Sequence, residues 1–297
     1  MPAHLITGYW QDFAGNGAKA LKLADTPAGY NIVAVAFGNS TATPGQVSFS
    51  LDPQLSSALG GYTDAQFKAD IATLHSKGRK VILSVGGQNG AISVSDSTSA
   101  NNFATSVYSI MTSYGFDGVD IDLENGVNAT YMSQALNSLR TKAGSNLIIT
   151  LAPQTIDMQS TGTEYFKLAL AIKGILTVVN MQFYNSGSML GCDGNVYSQG
   201  TVNFLTALAC IELQGGLAPS QVGLGLPANA SGAGGGAVAP SVVNAALDCL
   251  ASGTNCGTFH PPSKWSIRGA MDWDINWDAN AGYAFVNTVS PHLSTLP

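Results

Sequence analysis

Charge is scarce in this chain. Only 10% of its 297 residues are Asp, Glu, Lys or Arg, and 18 acidic residues outnumber 12 basic ones, for a net charge of −6. That balance argues against binding nucleic acid or an anionic membrane surface. Cysteine does not occur before position 192, and Cys192, Cys210, Cys249 and Cys256 include no Cys-x-x-Cys pair. The four histidines are scattered, so no zinc site of ordinary spacing is expected and no metal is assigned. No apolar run reaches the roughly 18–20 residues a membrane helix needs. Gly232-Ala233-Gly234-Gly235-Gly236 is rich in glycine but lacks the Gly-Lys-Ser/Thr ending of a phosphate loop, and reads as a mobile surface loop. Nothing resembling a linker, charge block or internal repeat divides the chain, so a single domain over 1–297 is expected. Met1-Pro2-Ala3 leads straight into the first predicted strand, with no signal peptide in view.

What is present centres on Phe116-Asp117-Gly118-Val119-Asp120-Ile121-Asp122-Leu123-Glu124. It reads as a strand over Phe116–Glu124. Because side chains alternate across a strand, Val119, Ile121 and Leu123 fall on one face and Asp120, Asp122 and Glu124 on the other. Three like charges at a spacing of roughly 6–7 Å repel one another and call for an explanation. A solvated edge or a calcium loop is the bland alternative, but an EF-hand loop needs Gly at its sixth position, where branched aliphatics stand here. Crowded carboxylates cannot all ionise easily, so at least one can hold a proton near neutral pH. Glu124, at the C-terminal tip, lies where α/β barrels and open α/β sheets place their active sites.

Seven further apolar runs read as strands: His4–Trp10, Tyr30–Gly38, Arg79–Gly87, Asn146–Pro153, Leu176–Tyr184, Val222–Ala228 and Ser266–Trp273. Helical patterns fall between them. The clearest covers Asp64–Lys77, with Thr63 and Gln66 as a capping box, Phe67, Ile71 and Leu74 as its stripe, and Gly78 as its stop. Others carry Phe103, Val107, Ile110 and Tyr114, or cover Ala129–Lys142, Thr201–Leu213, Ser241–Ala251 and Asn280–Val289. Eight strands alternating with helices in a chain of this length predict an α/β fold, one (β/α)8 TIM barrel. Two disulfides are expected, with Cys192–Cys210 and Cys249–Cys256 closing the shortest loops and free thiols as the alternative; disulfides would imply secretion. Asn39, Asn128 and Asn229 begin Asn-x-Ser/Thr sequons, but all follow predicted strands on the active face, so they read as chance matches. His75, inside a helix pattern, reads as structural.

Asp117-Gly118-x-Asp120-x-Asp122-x-Glu124 resembles the DGxDxDxE signature of family 18 glycoside hydrolases, the chitinase family. Ser84-Val85-Gly86-Gly87 looks like that family's SxGG segment. Gln182-Phe183-Tyr184-Asn185 resembles its sixth-strand segment in the Gln-containing form of plant class III chitinases, where many bacterial members have Met and Asp instead of Gln182 and Asn185. Trp273 resembles the subsite-floor tryptophan, and Tyr9 and Phe37 match aromatic positions on the first two strands. The resemblance spans nearly the whole chain. It implies Glu124 as acid and base, Asp122 as orienter of the substrate acetamido group, Asp120 as the buried partner of Asp122, and Tyr184 as a hydrogen-bond donor to that group. Tyr9, Phe37, Gly86, Gln182, Asn185 and Trp273 would bind sugar. It further implies retaining, substrate-assisted cleavage of chitin or chito-oligosaccharides by a secreted monomer, with no cofactor. The short stretch between Ala228 and Ser266 already carries a helix and leaves no room for the family's small insertion domain, which predicts an open cleft and endo action. An endo-β-N-acetylglucosaminidase acting on N-glycans shares the motif, and a non-catalytic chitin-binding lectin shares the barrel.

Overall fold

Parity turns the apolar runs into two distinct layers. The computed structural model describes residues 1–297. Its eight long strands are β1 (Leu5–Gln11), β2 (Ile32–Ser40), β3 (Lys80–Gly86), β4 (Gly118–Asp122), β5 (Ile148–Leu151), β6 (Val178–Gln182), β7 (Val222–Pro227) and β8 (Gly269–Trp273). All neighbours pair in parallel, and pairing of β1 with both β8 and β2 closes the ring. Alternate residues such as Val33, Val35, Val81, Leu83, Val119, Ile121, Ile149 and Leu151 face outward into the principal core of 68 buried residues. Their neighbours fill a second core of nine inside the barrel, including Leu5, Tyr9, Ile32, Ala34, Ile82 and Met271. A sheet buried on both faces in this way explains why its strands read as almost continuous apolar runs.

Nine helices surround the ring: α1 (Pro53–Ala58), α2 (Asp64–Ser76), α3 (Ser97–Tyr114), α4 (Ala129–Ala143), α5 (Glu164–Ala171), α6 (Val202–Gln214), α7 (Pro240–Ser252), α8 (Ile275–Asn280) and α9 (Ala284–Leu293). The α2 capping box forms as the sequence predicts, Gln66 N–H donating to Thr63 Oγ1 at 3.2 Å and Thr63 N–H to Gln66 Oε1 at 2.9 Å. His75 is structural: its Nε2 lies 2.7 Å from Asp117 Oδ2, and Lys80 Nζ and Val81 N–H reach the same carboxylate. Asp117, the first acid of the motif, therefore ties α2, β3 and β4 together at the strand's N-terminal end.

Several elements differ from the sequence reading. The β1–β2 connection holds a 3-10 turn at Leu23–Asp25 that the sequence reading did not name. α1, α5, a two-residue strand at Val47–Ser48, and a hairpin of Ser188–Leu190 with Val196–Ser198 have no counterpart in it. The closing helix is divided, because Tyr283 adopts a left-handed φ of 62° between α8 and α9. The acidic strand is shorter than expected. β5 runs out at Leu151 opposite Ile121, so β4 loses its ladder after Asp122 and Glu124 sits in the following turn. Both expected disulfides are present, Cys192–Cys210 pinning the hairpin to α6 and Cys249–Cys256 closing the end of α7. Between β7 and β8 lie only α7 and loops.

Candidate active site

The inward face of β4 delivers its carboxylates into a ring of hydroxyls. Asp120 is fully buried and accepts three hydrogen bonds: from Tyr9 Oη at 2.7 Å, Ser84 Oγ at 2.7 Å and Thr150 Oγ1 at 2.5 Å. Burial raises its pKa, while the three hydroxyl donors oppose that shift by stabilising the anion. Asp122, one layer higher and also buried, accepts from Gln182 Nε2 at 2.9 Å through Oδ1; its Oδ2 has no protein donor. Its carboxyl is pushed well above the usual range, first by burial and then by the charges of Asp120 and Glu124, with Gln182 opposing. Glu124 is half-buried, and burial raises its pKa as well; the Gln182 amide works against this and Asp157 adds to it. Of the three, Asp120 is the best provided with donors that stabilise its anion.

Gln182 is itself fixed, since the same Nε2 also donates to Ala152 O at 2.9 Å. Tyr184 is buried beside this row, and its hydroxyl bonds to no protein group. Burial and the nearby Asp122 and Glu124 charges raise its pKa far above the tyrosine norm, so the phenol stays neutral and able to donate. Trp273 and Phe37, both partly exposed, form the floor: their rings lie 5.9 Å apart at an interplanar angle of 27°. Tyr9 meets Trp273 edge-on at 5.3 Å and, 1% exposed, supports the floor from below while bonding Asp120. Gly86 lines no open surface. Its φ is +119°, and a Cβ there would fall 2.0 Å from Asp122 O, so glycine is what lets β3 close onto β4 beneath Asp122.

Asn185 stands at the rim, exposed and at a φ of 53°, and is occupied by its own surroundings. Its N–H donates to Gly235 O at 2.9 Å and its Oδ1 accepts from Gly235 N–H at 3.1 Å. The glycine-rich loop is thereby anchored on the end of β6. Gly236, at φ +94°, packs so close that a Cβ would lie 2.7 Å from Tyr184 Cα. Two sequon asparagines are also engaged: Asn128 caps α4 through Tyr131 N–H, and Asn229 Nδ2 donates to Trp277 O at 2.7 Å. A cavity of 570 Å³ lies elsewhere, against Cys192, Tyr197 and Phe259, and touches none of the carboxylates.

The sequence reading brought together Asp120, Asp122, Glu124, Gln182 and Tyr184, and the structure gathers them. It did not find Thr150 or Tyr165. Thr150 was legible by parity, two residues from Ile148 on a strand beside the acidic one. Tyr165 lies on a helix the reading omitted, although Thr163 and the Tyr165, Phe166, Leu168, Ala169 spacing carry a helical signal.

A row of buried acids at the C-terminal mouth of a closed barrel, over an aromatic floor, is the arrangement that the motif implied. The family model for glycosyl hydrolases family 18 matches residues 5–291. The chain belongs to that family. Among curated family 18 relatives, it is 33% identical over 98% of its length to Chitinase Chi52 of Paenibacillus xylanexedens and 34% identical over 98% to Chitinase D of Niallia circulans. It spans 62% of the length of each. Among solved structures, a Streptomyces coelicolor protein provisionally named Chitinase A superposes with a TM-score of 0.96 at 63% identity, covering 99% of both chains. A family 18 chitinase from Chromobacterium violaceum superposes with a TM-score of 0.89 at 33% identity, covering 99% of this chain and 84% of that one.

Proposed function

We propose that this chain is an endo-acting chitinase that hydrolyses β-1,4 bonds between N-acetylglucosamine units with retention, by substrate-assisted catalysis. The observation that carries the reading is the row Asp120–Asp122–Glu124, with Asp122 tied on one oxygen to Gln182 and uncommitted on the other. Family 18 enzymes stand outside the scheme in which two protein carboxylates perform retaining hydrolysis. Here the protein supplies one proton donor, and the substrate's acetamido oxygen is the nucleophile.

Glu124, whose pKa burial raises, gives its proton to the glycosidic oxygen. As that bond breaks, the acetamido carbonyl closes on the anomeric carbon to form an oxazolinium ion. The free oxygen of Asp122 accepts the acetamido N–H and stabilises the developing cation, with Asp120 behind it as its buried partner. The unpartnered Tyr184 hydroxyl donates to the acetamido oxygen, while Gln182 and the Asn185 amide nitrogen position the ring. Glu124 then takes a proton from the incoming water, and the sugar leaves with its original anomeric configuration. Trp273 and Phe37 offer flat apolar plates for a pyranose, with Tyr9 and Gly86 holding the floor and the acid row in register.

Lack of any walling insertion between β7 and β8 supports cleavage within a chain. Two disulfides support an extracellular protein, and no helix is long and apolar enough to cross a membrane. The test is proton NMR of a digest of the N-acetylglucosamine hexamer within its first minutes. New reducing ends should be β-anomers on products of mixed length. α-Anomers would overturn the retaining mechanism, dimer as the sole early product would overturn endo action, and an intact hexamer with folded protein would overturn the substrate assignment.

A further inference from the structure

The turn that carries Glu124 is held from outside the barrel. On its β5 side β4 has no ladder partner beyond Ile121, whose carbonyl takes the last sheet bond there from Ala152 N–H at 2.9 Å. The Leu123 N–H, immediately before Glu124, is therefore left without a strand to meet. It donates instead to Tyr165 Oη at 2.6 Å, and the same hydroxyl lies 3.4 Å from Ile121 O. Tyr165 is 3% exposed. Its neighbour Glu164 accepts from Ala129 N–H at 2.9 Å, at the start of α4. Asn125 Nδ2, inside the turn, donates to Gly90 O at 2.9 Å and Gln88 O at 3.3 Å. The segment Leu123–Ala129 is thus gripped at both ends by consecutive residues of α5 and at its middle by the loop after β3.

We propose that the first turn of α5 is a clamp on the proton donor, with Tyr165 a positioning residue that fixes where the backbone delivers Glu124. The inference rests on Glu124 being the general acid of the proposed reaction. A glutamate in a turn can swing its carboxyl through several rotamers, and a displacement of about 1 Å from the reactive geometry can cost on the order of a hundredfold in rate. A buried phenol against the preceding amide removes that freedom at its root. Burial together with the Asp122 charge raises the Tyr165 pKa well above the tyrosine norm, so the hydroxyl remains neutral, with a lone pair for Leu123 and a proton for Ile121.

The test is Tyr165→Phe, assayed on a chito-oligosaccharide and on a dinitrophenyl chitobioside, whose leaving group departs with little protonation. On the oligosaccharide kcat should fall about tenfold or more with KM nearly unchanged, while the aryl glycoside loses much less. The ratio of the two kcat values is independent of the folded fraction, so a partly unfolded variant still answers. Equal loss on both substrates, or no loss on either, overturns the clamp. Glu124→Gln run in parallel separates the two claims. Read on kcat/KM, which ends at glycosidic cleavage and leaves out the water step in which Glu124 is the base, an equal loss by Glu124→Gln on both substrates means that the acid assignment fails; if it loses selectively and Tyr165→Phe does not, only the clamp fails.

Discussion

Glu124 needs its proton before it can work, and its surroundings decide how long it keeps it. Burial is the main cause of its raised pKa, with the Asp157 carboxylate adding to it. A raised pKa means the acid stays protonated to higher pH, so the alkaline limb of kcat/KM should lie above the ordinary carboxylate range of about 4. Tyr184 and Asp122 lie beside the same carboxyl, but a neutral phenol leaves the sign unchanged and a charged Asp122 would only favour the protonated form further, so neither reverses it. Glu124→Gln keeps the shape and removes the proton; steady-state assays should find turnover lower by on the order of 10²–10⁴-fold, with oligosaccharide affinity retained. A variant as fast as the parent would remove Glu124 from the chemistry. At this scale the sequence was generous: parity alone placed Asp120, Asp122 and Glu124 together. It named Asn185 as a sugar contact but gave no sign that its Oδ1 is spent on Gly235, because that partner lies 50 residues away in a loop with no fixed pattern.

Elements carry the next level of information, and α6 buries more residues than any other helix. It buries Phe204, Leu205, Leu208 and Leu213, and among these also Glu212, fully buried with neither carboxyl oxygen bonded to protein. Burial alone raises its pKa well above the usual value, which favours the neutral acid in the fold. An unsatisfied buried polar group costs about 1–3 kcal/mol. Glu212→Met, similar in volume and apolar, should therefore stabilise the fold at neutral pH by about that amount, measured by denaturant unfolding. The gain should shrink in acid, where the unfolded glutamate is also protonated. A lower stability in the variant would mean that the carboxyl is satisfied within the fold. The clearest helix in the sequence had both a cap and a stripe, Thr63 with Phe67, Ile71 and Leu74. α5, eight residues long, and the hairpin at 188–198 were too short for period alone to separate from loop.

Over the whole molecule, buried acids outnumber buried bases, and this sets a pH dependence of stability. Asp12, buried where its Oδ1 accepts from Asp52 N–H at 3.0 Å, has its pKa raised by desolvation to about 8. Asp272 and Glu212 are raised too, again chiefly by burial. Each of these binds its proton more tightly folded than unfolded. Their stabilisation is fully present below the unfolded carboxylate pKa of about 4 and is lost as pH rises towards the folded value, which for Asp12 is about 8. Thermal unfolding followed across this window should give a midpoint that falls with rising pH, and Asp12→Asn should flatten the upper part of that decline. A midpoint that climbs steadily from acid to neutral pH would contradict the assignment.

The residue pattern by itself determined the barrel and the acid row, and favoured both disulfides over free thiols. Strand alternation, helix period and loop closure are local or nearly so, and each leaves a mark in the order of residues. Tertiary structure alone decided how that row is held and exposed. The hydroxyls on Asp120 come from β1, β3 and β5, and the grip on Leu123 comes from a helix 42 residues further on. A hydrogen bond depends on where two atoms meet, and the sequence records only which atoms are available. Tyr165 shows the difference: its ring satisfies the pattern of a core residue, and only packing of α5 against the end of β4 gives its hydroxyl a partner.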